Sequence, residues 1–210
     1  MRIVEIGVLT LFVRFAYMVD LLFQDMALTI TLTEVERQLL KSVLIPKSVR
    51  KKQYLLRAGE DCQYAIFVAN GCLRSYTVDE KGVKHISQFA IEGWAISDMY
   101  SFLTGEPATH NIDAIEDSEL YLMDKAGKEE LLDQIPGMEK VFRLALEKNY
   151  IANQRRVNAM LSSSTEEKYL SFARAYPQIV RRVPQHMIAS YLGVSAKTLS
   201  RMRKQLASEG

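Results

Sequence analysis

From Tyr54 to Met123 the chain is cut by turn signals at short, near-even intervals, and this punctuation argues against a helical front half. Tyr54–Leu56 stops at Ala58-Gly59-Glu60-Asp61, and Tyr64–Val68 stops at Asn70-Gly71, a strong two-residue hairpin signal. Leu73–Val78 ends at Asp79-Glu80-Lys81-Gly82, and Val83–Ile91 ends at Glu92-Gly93. A loop with Gly105-Glu106-Pro107 precedes Ile112–Ile115, and Leu120–Met123 closes the series. Many short strands so spaced predict a sandwich, barrel or jelly roll. A helix over Leu32–Ser42, with Thr33 and Glu36 as a capping box, comes before them, and Pro46 breaks its period.

Pro136-Gly137 marks a change of pattern. Met138–Leu161 contains neither Gly nor Pro and reads as one long helix. Phe142, Leu146, Tyr150, Val157 and Met160 line one edge at three- and four-residue steps, with Asn153 as the polar member. Val141, Leu144 and Ile151 form a second stripe. A helix with two apolar edges can pack on its own domain and on a second copy, where a lone Asn fixes the register of a homodimer. Burial of both edges within one chain is the alternative. Ser162-Ser163-Ser164 then serves as hinge and cap for a helix opened by Thr165, Glu166 and Glu167.

Pro184–Leu206 carries the functional signal. It divides into a short helix, Gln185–Leu192, a turn at Gly193-Val194, and a second helix for which Ser195 is a good N-cap. Ala189 is small where two helices must cross, Gly193 suits the turn, and Leu199 supplies the following apolar anchor, which together make a helix-turn-helix pattern. Leu199, Met202 and Leu206 should face inward; Ala196, Lys197, Ser200, Arg201 and Lys204 occupy the opposite face. A helix fits the major groove of B-DNA, and Lys or Arg on its outer face reaches guanine O6 and N7. Gln185, Ser195 and Thr198, near the two helix starts, can bond phosphate or base edges, and Arg181, Arg182 and Arg203 can neutralise phosphates. A solvated basic helix pair inside an ordinary helical subdomain is the bland alternative.

Charge supports the first reading. The net charge of +2 hides an asymmetry: from Leu144 onward there are 11 Lys/Arg against 4 Asp/Glu, and before it 16 against 21. An acidic front and a basic back suggest two tasks in one chain of 210 residues, the back meeting a polyanion. Catalysis finds no support. His85, His110 and His186 are scattered, and neither a phosphate loop, a nucleophile elbow nor a metal-ligand pair is present, so no catalytic or metal residue is assigned. Two cysteines, Cys62 and Cys72, fall short of the four thiolates an iron–sulfur cluster needs. The apolar first 24 residues are interrupted by Arg2, Glu5, Arg14 and Asp20; the longest uncharged run, Ile6–Val13, is too short to span a bilayer. Phe15, Met18, Val19, Leu22 and Phe23 instead follow helical spacing, so an amphipathic helix, no membrane contact and a cytoplasmic protein with reduced thiols are expected.

Strands, long helix and helix-turn-helix in this order resemble the Crp/Fnr family of bacterial transcription regulators. The most specific stretches are Asn70-Gly71-Cys72-Leu73-Arg74, Gly93–Ala114 and Val183–Leu206. Gly93-Trp94-Ala95-Ile96-Ser97-Asp98 and Arg182-Val183-Pro184-Gln185 look like the wording of a branch common in Bacteroidetes-type bacteria. The resemblance implies an α+β protein: a double-stranded β-helix (jelly roll) sensor over 1–136, a dimerisation helix over 137–161, and a winged helix-turn-helix over 162–210. It also implies that Lys197, Ser200 and Arg201 read bases, with Ala196 where other members place an Arg. Double-stranded DNA, a second copy of the chain and RNA polymerase are the implied partners. Cyclic-AMP-binding members carry a Gly-Glu pair for the ribose and an Arg-Ser or Arg-Thr pair for the phosphate; here Ser97-Asp98 and Ala108-Thr109 stand in those places. Ala108 offers no cation, and an unpaired buried anion costs several kcal/mol, so tight cyclic AMP binding and any resident cofactor are not expected. Arg74, Lys84, His85 and His110 are candidates for another cation that could serve an effector in its place. A jelly-roll module that binds a small molecule or a protein, without sequence-specific DNA binding, is the rival reading.

Overall fold

The computed structural model describes residues 30–209. The amphipathic helix expected around Phe15–Phe23 lies outside them. The elements run α1 (Glu34–Ser42), β1 (Ile45–Val49), β2 (Tyr54–Leu56), β3 (Tyr64–Asn70), β4 (Leu73–Val78), β5 (Lys84–Ala90), β6 (Ala95–Ile96), α2 (Met99–Thr104), β7 (Asn111–Ala114), β8 (Ser118–Asp124), α3 (Lys125–Gln134), α4 (Met138–Ser162), α5 (Thr165–Ala175), α6 (Pro177–Arg182), α7 (Gln185–Tyr191) and α8 (Ala196–Glu209).

The strands form two four-stranded sheets, ordered β1-β8-β3-β6 and β2-β7-β4-β5. This alternation of sheets along the chain is jelly-roll topology. β8 lies inside its sheet, paired antiparallel with β1 and β3, and buries every residue from Leu120 to Met123. Val68, Leu73, Ile96, Ile112 and Leu120 meet between the sheets in one apolar core, joined by Leu131 and Ile135 at the end of α3 and by Met138 and Val141 of α4. The β-branched and leucine side chains of these short strands are suited to a pleated surface buried on one or both faces.

One expectation changes in the structure. Asn70-Gly71 does not close a hairpin, because β3 and β4 lie in different sheets; the turn carries the chain across the sandwich. Gly71 takes φ 112°, its amide donates to the Glu92 carboxylate at 2.8 Å, and Cys72 C=O accepts from the Ile115 amide at 2.8 Å. Pro46 ends a helical pattern yet sits within β1, which is tolerated because β1 is an edge strand and one side of its backbone has no strand neighbour. The short elements β6, α2 and α3 were not foreseen.

Contacts gather the chain into two compact units. One holds residues 30–75 and 90–146 among those described; the other holds Tyr76–Phe89 with 147–209. The second unit is helical apart from the outer part of the β4–β5 hairpin, and buries Tyr169, Phe172, Ile179, Val183, Ile188, Ala189, Leu192 and Leu199. The helix starts behave as their sequence reads: Thr33 and Glu36 form a capping box on α1, and Ser164 and Glu167 form another on α5. The expected wing is absent among the described residues: no strand follows Asp124, and the run between α5 and α7 is the short helix α6, with Pro177 in its first turn.

Gly71→Ala tests the crossing. An added Cβ would fall 2.7 Å from the backbone Cα of Ser118, and the left-handed φ already disfavours a side chain. The variant should lose about 2 kcal/mol or more, read as a lowered midpoint in urea unfolding.

Candidate nucleic-acid interface and sensor site

Helix α8 is built from its ends. Ser195 Oγ accepts from the Thr198 amide at 3.0 Å and lies 2.7 Å from Thr198 Oγ1, which starts α8 where the sequence places it. Before it, α7 closes with the Gly193 amide donating to Ser190 C=O (3.1 Å) and the Val194 amide to Ala189 C=O (3.0 Å). That is a Schellman ending, and Gly193 at φ 69° fills its left-handed position. Ala189 is buried where α7 meets α8, and Leu199 is 1% exposed behind the helix. Met202 and Leu206 are half-buried on the same side.

With Leu199 inside, the opposite face is left to solvent. Ala196, Lys197, Thr198, Ser200, Arg201 and Lys204 are exposed, as are Gln185 and Ser195 at the two helix starts. Arg181, in the last turn of α6, is exposed as well. Arg203 is committed elsewhere, its guanidinium 5.5 Å from the centre of the Tyr169 ring. The arrangement presents donors and cations on a helix whose apolar side is anchored, which is what entry into a major groove requires.

Along α4 the predicted stripe divides. Phe142 is partly buried against the core of the first unit, whereas Leu146, Tyr150, Val157 and Met160 are exposed, with Ile151 beside them. Leu161, which the sequence reading passed over, is 83% exposed. Asn153 is exposed and donates to Asn149 Oδ1 at 2.8 Å. Met160 also touches its own chain: a Cβ on Gly193 would meet Met160 Cε at 2.9 Å.

Around the expected effector positions the polar groups satisfy one another. Asp98 is 4% exposed and caps α2, accepting from the Ser101 amide at 3.2 Å. Its other oxygen accepts from the amides of Thr109 (2.9 Å) and His110 (3.0 Å), from Thr109 Oγ1 (3.3 Å), and lies 3.1 Å from His110 Nδ1. Burial works to raise the Asp98 pKa, but these bonds, led by the Ser101 and His110 amides, outweigh it and hold the carboxyl below the usual range. Ala108 is buried, its amide donating to Glu60 C=O and its carbonyl accepting from the Gly59 amide. Ser97 is half-buried and Thr109 exposed.

The alternative cations are engaged too. Arg74 makes a two-pronged pair with Asp113, at 2.6 and 2.8 Å, and both side chains are largely buried. His85 pairs with Asp79 at 2.8 Å, and Lys84 Nζ donates to Tyr76 Oη at 3.2 Å above that ring. Two cavities of the first unit lie elsewhere. One of about 500 Å³ opens beside Lys47, Leu55, Cys62 and Tyr64, and one of about 420 Å³ beside Ser101, Gly105 and Lys125; neither is lined by Ser97, Asp98, Ala108 or Thr109. Among the described residues no group of three or more His, Cys, Asp or Glu is placed to hold a metal ion, and no helix is long and apolar enough to cross a membrane.

A residue absent from the sequence reading proves central to the second unit. Arg156 of α4 donates from all three nitrogens to backbone carbonyls: Nε to Tyr191 (3.3 Å), Nη1 to Ser87 (2.7 Å) and Nη2 to Ile86 (2.8 Å). Its guanidinium lies 4.3 Å from the centre of the Tyr191 ring, and burial lowers its pKa from the usual arginine value. Nothing in a single basic residue on a polar helix turn distinguishes it; only the fold brings those carbonyls to it.

Comparison with known proteins agrees with this geometry. Residues 46–135 match the family model of the cyclic nucleotide-binding domain. Over 202 residues the chain is 26% identical to the fumarate and nitrate reduction regulatory protein of Vibrio cholerae, covering 87% of this chain and 77% of that protein. It is 22% identical to the regulatory protein HlyX of Actinobacillus pleuropneumoniae, covering 89% of this chain and 82% of the other. Among solved structures, FixK2 of Bradyrhizobium japonicum superposes with a TM-score of 0.65 at 21% identity, over 80% of this chain and 86% of that one. The catabolite activator protein of Thermus thermophilus superposes at 0.53 with 22% identity, over 85% of each chain. These relatives are regulatory proteins rather than enzymes. With a match to the cyclic nucleotide-binding domain ahead of a capped helix-turn-helix, the chain is similar over most of its length to transcription regulators of the Crp/Fnr type.

Proposed function

We propose that this chain works as a homodimer that reads a palindromic operator through α8, with residues 1–136 as the sensing part, 137–161 as the dimer helix and 162–210 as the reading head. The observation that carries the reading is the solvent-facing row Lys197, Thr198, Ser200, Arg201 and Lys204, held outward by the buried Leu199 and started by the Ser195 cap. Lys197, Ser200 and Arg201 are the base-reading residues. Gln185, Ser195, Thr198 and Lys204 position the helix on sugar and phosphate, and Ala196 contributes only its backbone at the groove edge. The exposed apolar row Leu146, Tyr150, Val157 and Met160 favours a second copy of the chain as its cover, since apolar surface of this kind is unfavourable in water. Two heads then meet half-sites about one helical turn apart. Such a regulator works in the cytoplasm beside RNA polymerase and carries out no catalysis of its own.

The sensing part takes no cyclic AMP in this reading. Asp98, in the place of a ribose-holding carboxylate, is already filled by bonds from Ser101, Thr109 and His110, and Ala108 gives a cyclic phosphate no cation. Isothermal titration with cyclic AMP should show no saturable heat in the micromolar range; a saturable micromolar curve overturns this reading of the pocket.

Binding to DNA is tested on duplexes selected from a random pool by the protein itself. Arg201→Ala should narrow the gap between selected and random duplex by about 1–3 kcal/mol, whereas Arg181→Ala should weaken both alike and flatten the salt dependence by about one unit. Equal losses on the two duplexes for Arg201→Ala remove it from the base-reading set. If affinity does not fall as salt rises from 50 to 200 mM, on the order of a thousandfold for six or more phosphates, the rival interaction module gains instead.

A further inference from the structure

We propose that Arg156 and Ser190 form a clamp that holds the reading head to the β4–β5 hairpin and so fixes the half-site spacing the dimer accepts. The proposal rests on the DNA-reading role above and assigns that role a positioning device.

β5 is the outer strand of its sheet, so one row of its backbone groups has no strand neighbour. Such an edge must be covered or charged. Ser190, in the last turn of α7, covers it with a single hydroxyl: Oγ accepts from the Ile86 amide at 3.0 Å and donates to Lys84 C=O at 2.8 Å. The two groups are those a neighbouring strand would have taken. One residue on, Tyr191 packs against Phe89 of β5 (ring centres 5.4 Å apart) and Phe172 of α5 (5.2 Å), while Arg156 lies over its ring. Arg156 then draws together three elements, α4 by its own backbone, α7 at Tyr191 C=O, and β5 at Ile86 and Ser87 C=O. A planar guanidinium can serve three carbonyls in fixed directions; a lysine ammonium on a flexible stem cannot hold the same geometry.

The clamp leaves the reading face free. It engages the C-terminal end of α7, whereas Gln185 at its start and Lys197, Ser200 and Arg201 on α8 stay exposed. It is therefore compatible with bound DNA and acts by orientation, not by blocking. A head joined to α4 only through the Ser162–Ser164 segment would tolerate many spacings between half-sites. A head held on β5 tolerates one.

The test uses the full chain, with Ser190→Ala and Arg156→Gln as loss variants and Ser190→Thr as the variant that keeps the hydroxyl. In hydrogen exchange on the free protein, the Ile86 amide should exchange about tenfold faster in Ser190→Ala than in wild type, the size of one lost hydrogen bond, and near the wild-type rate in Ser190→Thr. On selected palindromic duplexes, one to three base pairs inserted between the half-sites should cost the wild type at least tenfold more affinity than they cost Ser190→Ala or Arg156→Gln. Base preference within each half-site should stay unchanged in all variants, which separates lost positioning from an unfolded head. Equal spacing penalties in wild type and loss variants overturn the proposal, as does an unchanged Ile86 exchange rate. A wild-type chain that selects no duplex overturns the DNA reading itself and takes the proposal with it.

Discussion

A guanidinium removed from water has to find an acceptor for each nitrogen, and Arg156 finds three carbonyls on two other elements. That requirement ties the helical unit together. The aromatic set Phe89, Phe172, Tyr176 and Tyr191 provides the apolar body around it, with ring centres 5.2–5.4 Å apart. Burial pushes the Tyr191 phenol up and the Arg156 guanidinium down, so the low-dielectric surroundings oppose charge on both groups. Carbonyl acceptors and the face of an aromatic ring offset that penalty for the cation. The outcome is a junction in which helix, hairpin and reading head share one polar centre.

The β-sandwich solves a different problem with the same economy. Where a nucleotide-binding relative would need open donors and acceptors, Asp98 caps α2 and gathers the Thr109 and His110 amides, and Arg74 is matched by Asp113. These bonds are directional: those of Asp98 hold the segment between β6 and β7 together, and the Arg74–Asp113 pair ties β4 to β7. The carboxylate that the sequence offers to a ligand accepts, in the fold, from the Ser101, Thr109 and His110 amides.

Much was legible beforehand. Thr33 with Glu36, Ser164 to Glu167 and Ser195 mark helix starts because a hydroxyl acts on amides one turn away, an interaction contained within a few residues. Gly193 is legible for a similar reason: a Schellman ending needs a left-handed residue at a set distance from Ala189. Asn70-Gly71 misled because a turn signal specifies a reversal of the chain, not which strand receives it; β4 pairs with β7 and β5 instead of β3. The wing was implied by the resemblance alone, and among the described residues no strand follows Asp124.

The sequence by itself determined the capped helix starts, the helix-turn-helix with its outward basic face, and the split between an acidic front and a basic back, since each depends on neighbours within a turn or two or on composition alone. Only the tertiary structure decided that the outer half of the β4–β5 hairpin belongs with the C-terminal helices, that Ser190 closes the edge of β5, and that the half-buried Arg156 donates to carbonyls some seventy residues earlier in the chain. A side chain's hydrogen-bonding capacity can be read from its identity. Which distant backbone groups are left unpaired for it is known only once the sheets have taken their order.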